Sequence, residues 1–424
     1  MGAPGSRWSL LGVTTLVAGA LSACHDRSTS ERSHVVDSQV TEVVTDADKT
    51  THPSVAIRGD GKTVYVAWTI RESIPRASEE EDSGGTLYVS RSENGGRTFP
   101  RRVQVGPRGE VAHEGVELRV DATGVLFVLW AHVSRRPPAD VRMQIARSTD
   151  GGNTFSPITE VFADPSPVVG FRPSLAVSGD GKTVLVSWLD LADPLETDER
   201  RPTPILVAVS RNGGAAFDPP VTANPASCSC CDPALAMFRD HPALVWRGQE
   251  RESADWDVRD TRVTVSSDDG RTWAPAVTVY PDRWRINACP VVGPAIFADA
   301  NEGLHLAWYT GAEGRVGVWH ALSRDARTFS VPMRLSPTPV APSSGGITLG
   351  VDRGGTAWVA ATDTATGEAR VHLWEVPARG EPCEIRTASV PGTAPRIAVA
   401  GDHGALVWSD GNGKVLLRRF GSHG

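Results

Sequence analysis

The residues best equipped for chemistry in this 424-residue chain stand close together in one short run, Cys228-Ser-Cys230-Cys231, with Cys289-Pro290 further on and Cys383 apart. Thiols at this spacing either bridge or, as thiolates, hold a soft ion such as Cu(I) or Zn(II). A second set is dispersed but varied. Arg172, Arg247 and Arg396 offer planar guanidinium forks that match a carboxylate. Asp190, Asp363, His52 and His132 offer groups that move protons or accept hydrogen bonds, and Tyr309 adds a phenol. Side chains this varied form a site only if the fold brings them into one concavity.

The elements that position them repeat. One unit reads apolar strand, Gly-containing turn, apolar strand ending in Trp, as in Pro53-Ser-Val-Ala-Ile followed by Gly59-Asp-Gly-Lys-Thr-Val-Tyr-Val-Ala-Trp68. It returns at Leu118 to Trp130, Pro173 to Trp188, Pro233 to Trp246 and Pro294 to Trp308, and more weakly at Ile347 to Ala361 and Pro395 to Trp408. Alternating apolar residues around such turns predict β-hairpins, and no stretch sustains a helical period. Each unit supplies an inner strand A, a strand B ending in Trp, a strand C and an outer strand D. The last unit lacks a D strand, and Gln39–Val44 could supply it, pairing the two ends of the chain so that no long sheet edge stays open.

A second motif follows strand C: Ser92-Glu-Asn-Gly-Gly-Arg-Thr-Phe99, Ser148-Thr-Asp-Gly-Gly-Asn-Thr-Phe155, Ser210-Arg-Asn-Gly-Gly-Ala-Ala-Phe217, Ser266-Ser-Asp-Asp-Gly-Arg-Thr-Trp273 and Ser323-Arg-Asp-Ala-Arg-Thr-Phe329. Their terminal aromatics lie 56, 62, 56 and 56 residues apart. The motif resembles the Asp-box (BNR) repeat of sialidases and related β-propellers, and the units cover about nine-tenths of the chain. The resemblance implies an all-β propeller with four antiparallel strands per blade. Seven blades are the expected count, and six, as in sialidase catalytic domains, the alternative. Asp150, Asp268 and Asp325 should then be structural, each accepting backbone N–H groups inside its turn on the face opposite the active site.

The same resemblance gives the dispersed residues their roles. They stand just after strand B or just before strand A, where propeller loops crowd the channel. A sialidase needs three Arg for a carboxylate, an Asp acid/base and a Tyr nucleophile, the Tyr being a departure from the two-carboxylate scheme. Arg172, Arg247, Arg396, Asp190 and Tyr309 occupy suitable positions, with His52, His132 and Asp363 as further ligand contacts. The family's Arg-Ile-Pro signature before the first A strand is replaced by Thr51-His52-Pro53, and no Glu partner for Tyr309 is identifiable. The expectation is therefore a propeller that binds a glycan or protein at its channel face, an exo-sialidase-type hydrolase being the alternative. In the repeat frame Cys228 and Cys289 are equivalent, each five residues before a Pro, so a Cys228–Cys289 disulfide is expected, with a Cys230–Cys231 bridge beside it. A thiolate metal site or a redox role there is the other reading, and no other cofactor is implied. Cys383 is then left over, free and buried.

Residues 1–23 read as a secretion signal, with Arg7, an apolar run from Leu10 to Leu21, and Leu21-Ser22-Ala23-Cys24. The run is short of the about 20 residues a membrane span needs. The last four residues resemble the bacterial lipobox, which implies lipidation of Cys24, anchoring in the cell envelope and, in a Gram-negative cell, the outer membrane, since His25 rather than Asp follows. Residues 24–37 are expected to be a flexible tether and 38–424 a single domain. A formal net charge of −7 leaves no basic excess to displace phosphate counterions, which excludes nucleic acid. The membrane contact expected is the lipid alone.

Overall fold

The computed structural model describes residues 34–44, 50–71, 85–109, 115–133, 141–162, 169–191, 202–253, 256–288, 290–336, 346–385 and 389–422. Within them every regular element is a β-strand. The segment expected to be a secretion signal, Cys24 and Cys289 lie outside the described residues.

The strands pair as consecutive antiparallel four-stranded units. The first unit is Thr50–Ile57, Val64–Arg71, Gly85–Ser92 and Arg102–Val105. The second runs from Glu117–Val120 to Thr159–Glu160, the third from Val169–Val177 to Val221–Ser227, and the fourth from Ala234–Phe238 to Val277–Thr278. The fifth runs from Ala295–Ala298 to Met333–Arg334 and the sixth from Ile347–Val351 to Cys383–Glu384. The last contains Thr393–Ala400, His403–Ser409 and Val415–Ser422, and its fourth strand is His34–Val44 from the other end of the chain. Thr41 faces Leu417 and Glu42 faces Leu416, so the segment expected to close the last unit does so. The strand begins at His34, ahead of the domain boundary expected at 38, because Val35 and Val36 continue the ladder opposite Gly421 and Phe420.

Strand B shows why the units stack. Successive side chains point to opposite faces. In Val64–Arg71, Val64, Val66 and Trp68 pack with Ala405, Val407, Val415 and Leu417 of the last unit, while Tyr65 and Ala67 pack with Leu118, Val128 and Trp130 of the second. Every other apolar cluster likewise joins two successive units. Both sheet faces are thus apolar and covered, as a propeller requires and a one-faced antiparallel sheet does not. The strand-end residues Trp68, Trp130, Trp188, Trp246, Trp308 and Trp408 are all at most 2% exposed. Burying one such indole removes about 200 Å² from water, a gross gain of roughly 5 kcal/mol.

The C–D turns are built alike. Asp150 Oδ1 accepts the amides of Asn153 (3.0 Å) and Thr154 (2.9 Å) and the Ser148 hydroxyl (2.7 Å), while Oδ2 takes the Thr154 hydroxyl (2.6 Å). Asp268 and Asp325 repeat this with Thr272 and Thr328. Gly152, at φ +83°, supplies a left-handed residue that most side chains resist. The turns also link neighbours, since Arg91 donates to the carbonyl of Gly151 and Arg147 to that of Gly213.

Candidate functional site at the strand B to strand C end

The repeat is least regular at the opposite end of the fourth to sixth units. Between strands B and C of the fourth unit the chain adds Glu250–Arg251 and Asp257–Val258, which pair with each other, and Asp257–Val258 pairs in turn with Arg285–Ile286. Strands of two residues leave no periodic trace in sequence. The tip between them carries Trp256, whose carbonyl accepts the amides of Glu252 and Ser253 and whose indole is 48% exposed.

Arg247 ends strand His241–Arg247 and is 1% exposed. Its Nε donates to Val292 O (3.1 Å), Nη1 to Arg259 O (2.9 Å) and Nη2 to Tyr309 O (2.8 Å). The guanidinium that the sialidase resemblance assigns to a ligand carboxylate is here spent on three backbone carbonyls. It lies 5.0 Å over the ring of Trp284, which meets Tyr309 edge-on at 5.4 Å. Gly311 permits that packing, for a Cβ there would stand 2.7 Å from the indole.

Asp363 in the sixth unit stands close enough to Tyr309 in the fifth for its charge to act on the phenol. Burial raises the Tyr309 phenol above its ordinary value, with Asp363 adding to the rise and Arg247 opposing it. A phenol displaced in that direction is a poorer nucleophile at neutral pH. Behind Asp363 stands His372, with Nε2 3.8 Å from Asp363 Oδ2 and Nδ1 2.6 Å from Glu384 Oε1, its ring stacked on Trp374 at 5.7 Å. The imidazole joins two carboxylates along one edge of the site.

The other candidates stand at corresponding ends of their own units. Asp190 lies in strand Val184–Leu191, where burial raises its carboxyl. His132 is in strand Leu126–Val133. His52 precedes Pro53 at φ +46°, inside the register shift between Thr51 and Ser54. Arg396 donates from Nη1 to Pro395 O. The backbone of Arg172 belongs to strand Val169–Val177, beside the equivalent shift, and its side chain lies outside the described residues. The structure thus gathers Arg247, Tyr309 and Asp363 with Trp284, His372 and Glu384. Sequence reasoning had no motif for His372 or Glu384. Trp256 and Trp284 fall outside the strand-end register that explains six of the thirteen Trp residues, as do five others, so the sequence alone did not single them out.

The cysteines differ from expectation. Cys228 and Cys231 are free and buried, whereas Cys230 and Cys383 are disulfide-bonded. The expected Cys228–Cys289 and Cys230–Cys231 bridges are therefore absent, and Cys383 is not the leftover thiol. The local turn is the reason: Cys231 N reaches back to Cys228 O (3.4 Å) and brings the two Sγ atoms to 2.7 Å, leaving Cys230 half-buried. The sulfurs of Cys228, Cys230 and Cys231 all lie within 4.8 Å of one another, which suits a soft ion by distance. The donor set does not suit one. Cys230 is committed to a disulfide, and the charges of Arg259 and Arg247 act on Cys228.

The fold class is a β-propeller. No protein-family model matches the chain, and no curated sequence does. Solved structures do match in fold. The BP39L lectin of Burkholderia pseudomallei is similar with a TM-score of 0.59 at 13% identity, over 88% of this chain and 96% of that one. The Penicillium chrysogenum α-L-arabinanase complexed with arabinobiose is similar with a TM-score of 0.51 at 14% identity, over 92% and 98%. The GH93 α-L-arabinofuranosidase of Fusarium graminearum with arabinobiose gives 0.51 at 12% identity, over 80% and 97%.

Proposed function

We propose that this chain is a seven-bladed, lipid-anchored propeller of the bacterial cell envelope that binds a neutral glycan at the strand B to strand C end of its fourth to sixth blades. The blade count is supported by the successive apolar clusters, which run from unit to unit and return from the last to the first. The C–D turns serve as Asp-box staples, and Cys24 carries the lipid. Neither role engages a ligand.

The observation that carries the neutral-glycan reading is the engagement of all three Arg247 side-chain nitrogens by backbone carbonyls. An arginine so engaged does not fork onto a sialic acid carboxylate. The aromatic and acidic groups of these units suit uncharged hydroxyl-rich rings: Trp256 offers an exposed face, and Asp363 and Glu384 offer acceptors for hydroxyl donors. Similarity in fold to a lectin and to arabinobiose-bound hydrolases agrees with a sugar ligand. Binding rather than hydrolysis is favoured by the burial of the Tyr309 phenol, which works against the activation a nucleophile needs, and by the lack of an identifiable Glu partner for it.

A glycan array read with the full chain tests the proposal. Signal on neutral oligosaccharides, lost in Trp256→Ala, is expected. Binding confined to sialosides, or release of free sugar that disappears in Tyr309→Phe, would replace it with the exo-sialidase-type alternative.

A further inference from the structure

One buried group of reactive side chains plays no part in the glycan reading. Cys228, Cys230 and Cys231 lie between the third and fourth units, directly behind Arg247: Cys228 N donates to Arg247 O (3.0 Å). Cys228 Sγ stands 2.7 Å from Cys231 Sγ and 3.4 Å from Cys230 Sγ, and Cys230 is itself one half of a disulfide. A free thiol therefore sits in van der Waals contact with a disulfide sulfur, with a second free thiol in contact behind it.

The surroundings favour a thiolate at Cys228. Arg259 is 1% exposed; among the described residues its Nε and Nη1 are buried without a hydrogen-bond partner, and Nη2 stands 3.3 Å from Asp257 Oδ2. A buried guanidinium with two such donors favours an anion beside it. Burial opposes ionisation of Cys228, yet the hydrogen bond with Cys231 and the charges of Arg259 and Arg247 outweigh it and lower its pKa. Cys231 moves the other way, held protonated by burial and by its neighbour. One thiol is set up as nucleophile and the other as its reserve.

We infer that Cys228, Cys230 and Cys231 form an internal thiol–disulfide relay, in which Cys228 attacks the Cys230 disulfide and Cys231 resolves the product. In the first step Cys228 Sγ⁻ bonds to Cys230 Sγ, the existing disulfide breaks, and its other sulfur leaves as a thiolate. In the second, Cys231 loses its proton and bonds to Cys228 Sγ, and Cys230 leaves as a thiolate that takes up a proton. One disulfide is consumed and one is formed, two thiols are consumed and two are formed, and no outside oxidant is required. The relay exchanges a cross-link from Cys230 to the rest of the chain for a local Cys228–Cys231 bridge. The segment from Pro290 to Gly293 is packed against this turn so closely that a Cβ on Gly293 would stand 2.1 Å from Asp232 O, so the exchange is coupled to the backbone that holds Arg247 through Val292.

The test is disulfide mapping of the full chain by non-reducing peptide mass spectrometry, after incubation at pH 8 and acid quench, with total metal measured on the same sample. Peptides joined through Cys228–Cys230 and Cys228–Cys231 are expected to appear with time. Cys231→Ser is expected to stop at Cys228–Cys230, Cys228→Ser to retain the original Cys230 bridge alone, and Arg259→Met to slow the exchange about tenfold through a smaller thiolate fraction. Circular dichroism identifies any variant that fails to fold, and the wild-type time course stands without them. A single unchanging connectivity in the wild type would overturn the relay. So would one equivalent of bound metal with Cys228 and Cys231 protected from exchange, which would make the cluster a metal site.

Discussion

The two ends of the propeller units are built on opposite plans. At the C–D end, Asp150, Asp268 and Asp325 close turns of one design, each carboxylate satisfied by the Ser and Thr of its own motif. At the B–C end of the fourth to sixth units nothing repeats: an added three-stranded sheet, a buried Arg247, a thiol pair and the Asp363–His372–Glu384 edge each occur once among the described residues. A residue that recurs in every unit answers to the shared backbone. One that breaks the pattern answers to something outside it, and function lies there.

Removing residues 34–44 should have the largest effect. It strips the fourth strand from the last unit and exposes Leu416, Leu417 and Phe420. We expect loss of cooperative unfolding or aggregation, read by calorimetry and light scattering; a fully folded truncated chain would deny that the two termini close the fold. Arg247→Met should follow, costing about 3–5 kcal/mol because three buried carbonyls lose a charged donor together. Denaturant unfolding measures it, and a loss below about 1 kcal/mol would mean that water replaces the guanidinium.

The C–D end should respond mainly to acid. Asp268 is drawn down to about 2 by the Thr272 hydroxyl and amide and the Ser266 hydroxyl, and Asp150 and Asp325 move the same way. A carboxyl whose folded value is depressed contributes stability that is present above its unfolded value near 4 and disappears as pH falls towards its folded value. Melting temperature should therefore decline between about pH 4 and 2, and Asp150→Asn with Asp268→Asn and Asp325→Asn should flatten that decline while leaving glycan binding untouched. The smallest effect on stability is expected for Trp256→Ala, within about 0.5 kcal/mol for an exposed side chain, alongside lost glycan binding. A Trp256 variant that melts early but binds normally would reverse the assignment of the two ends.

The repeated half of this molecule was legible in sequence and the singular half was not. Every predicted A–B hairpin is observed, from Pro53–Trp68 to Pro395–Trp408, because strand periodicity and Gly-containing turns are local properties. Even the closing strand could be read, as an apolar segment lacking a partner next to a unit lacking a strand. The site could be read only as positions. Tyr309, Asp363 and Arg247 stand at the ends of their B strands, but whether Arg247 faces ligand or backbone depends on Val292 and Arg259, dozens or a dozen residues away, where no period links them. The cysteine pairing failed for a related reason. Equivalence of Cys228 and Cys289 along the repeat ignores the tight turn that folds Cys231 onto Cys228.

Hydrogen–deuterium exchange of the full chain, with and without the neutral oligosaccharide that binds best on the array, bears most directly on the division between the two ends. The account predicts slowed exchange in residues 247–253, 256–260, 280–288, 309–317 and 363–372, with the five C–D turns unchanged. Protection concentrated in those turns, or at the strand ends carrying His132 and Asp190 alone, would contradict it.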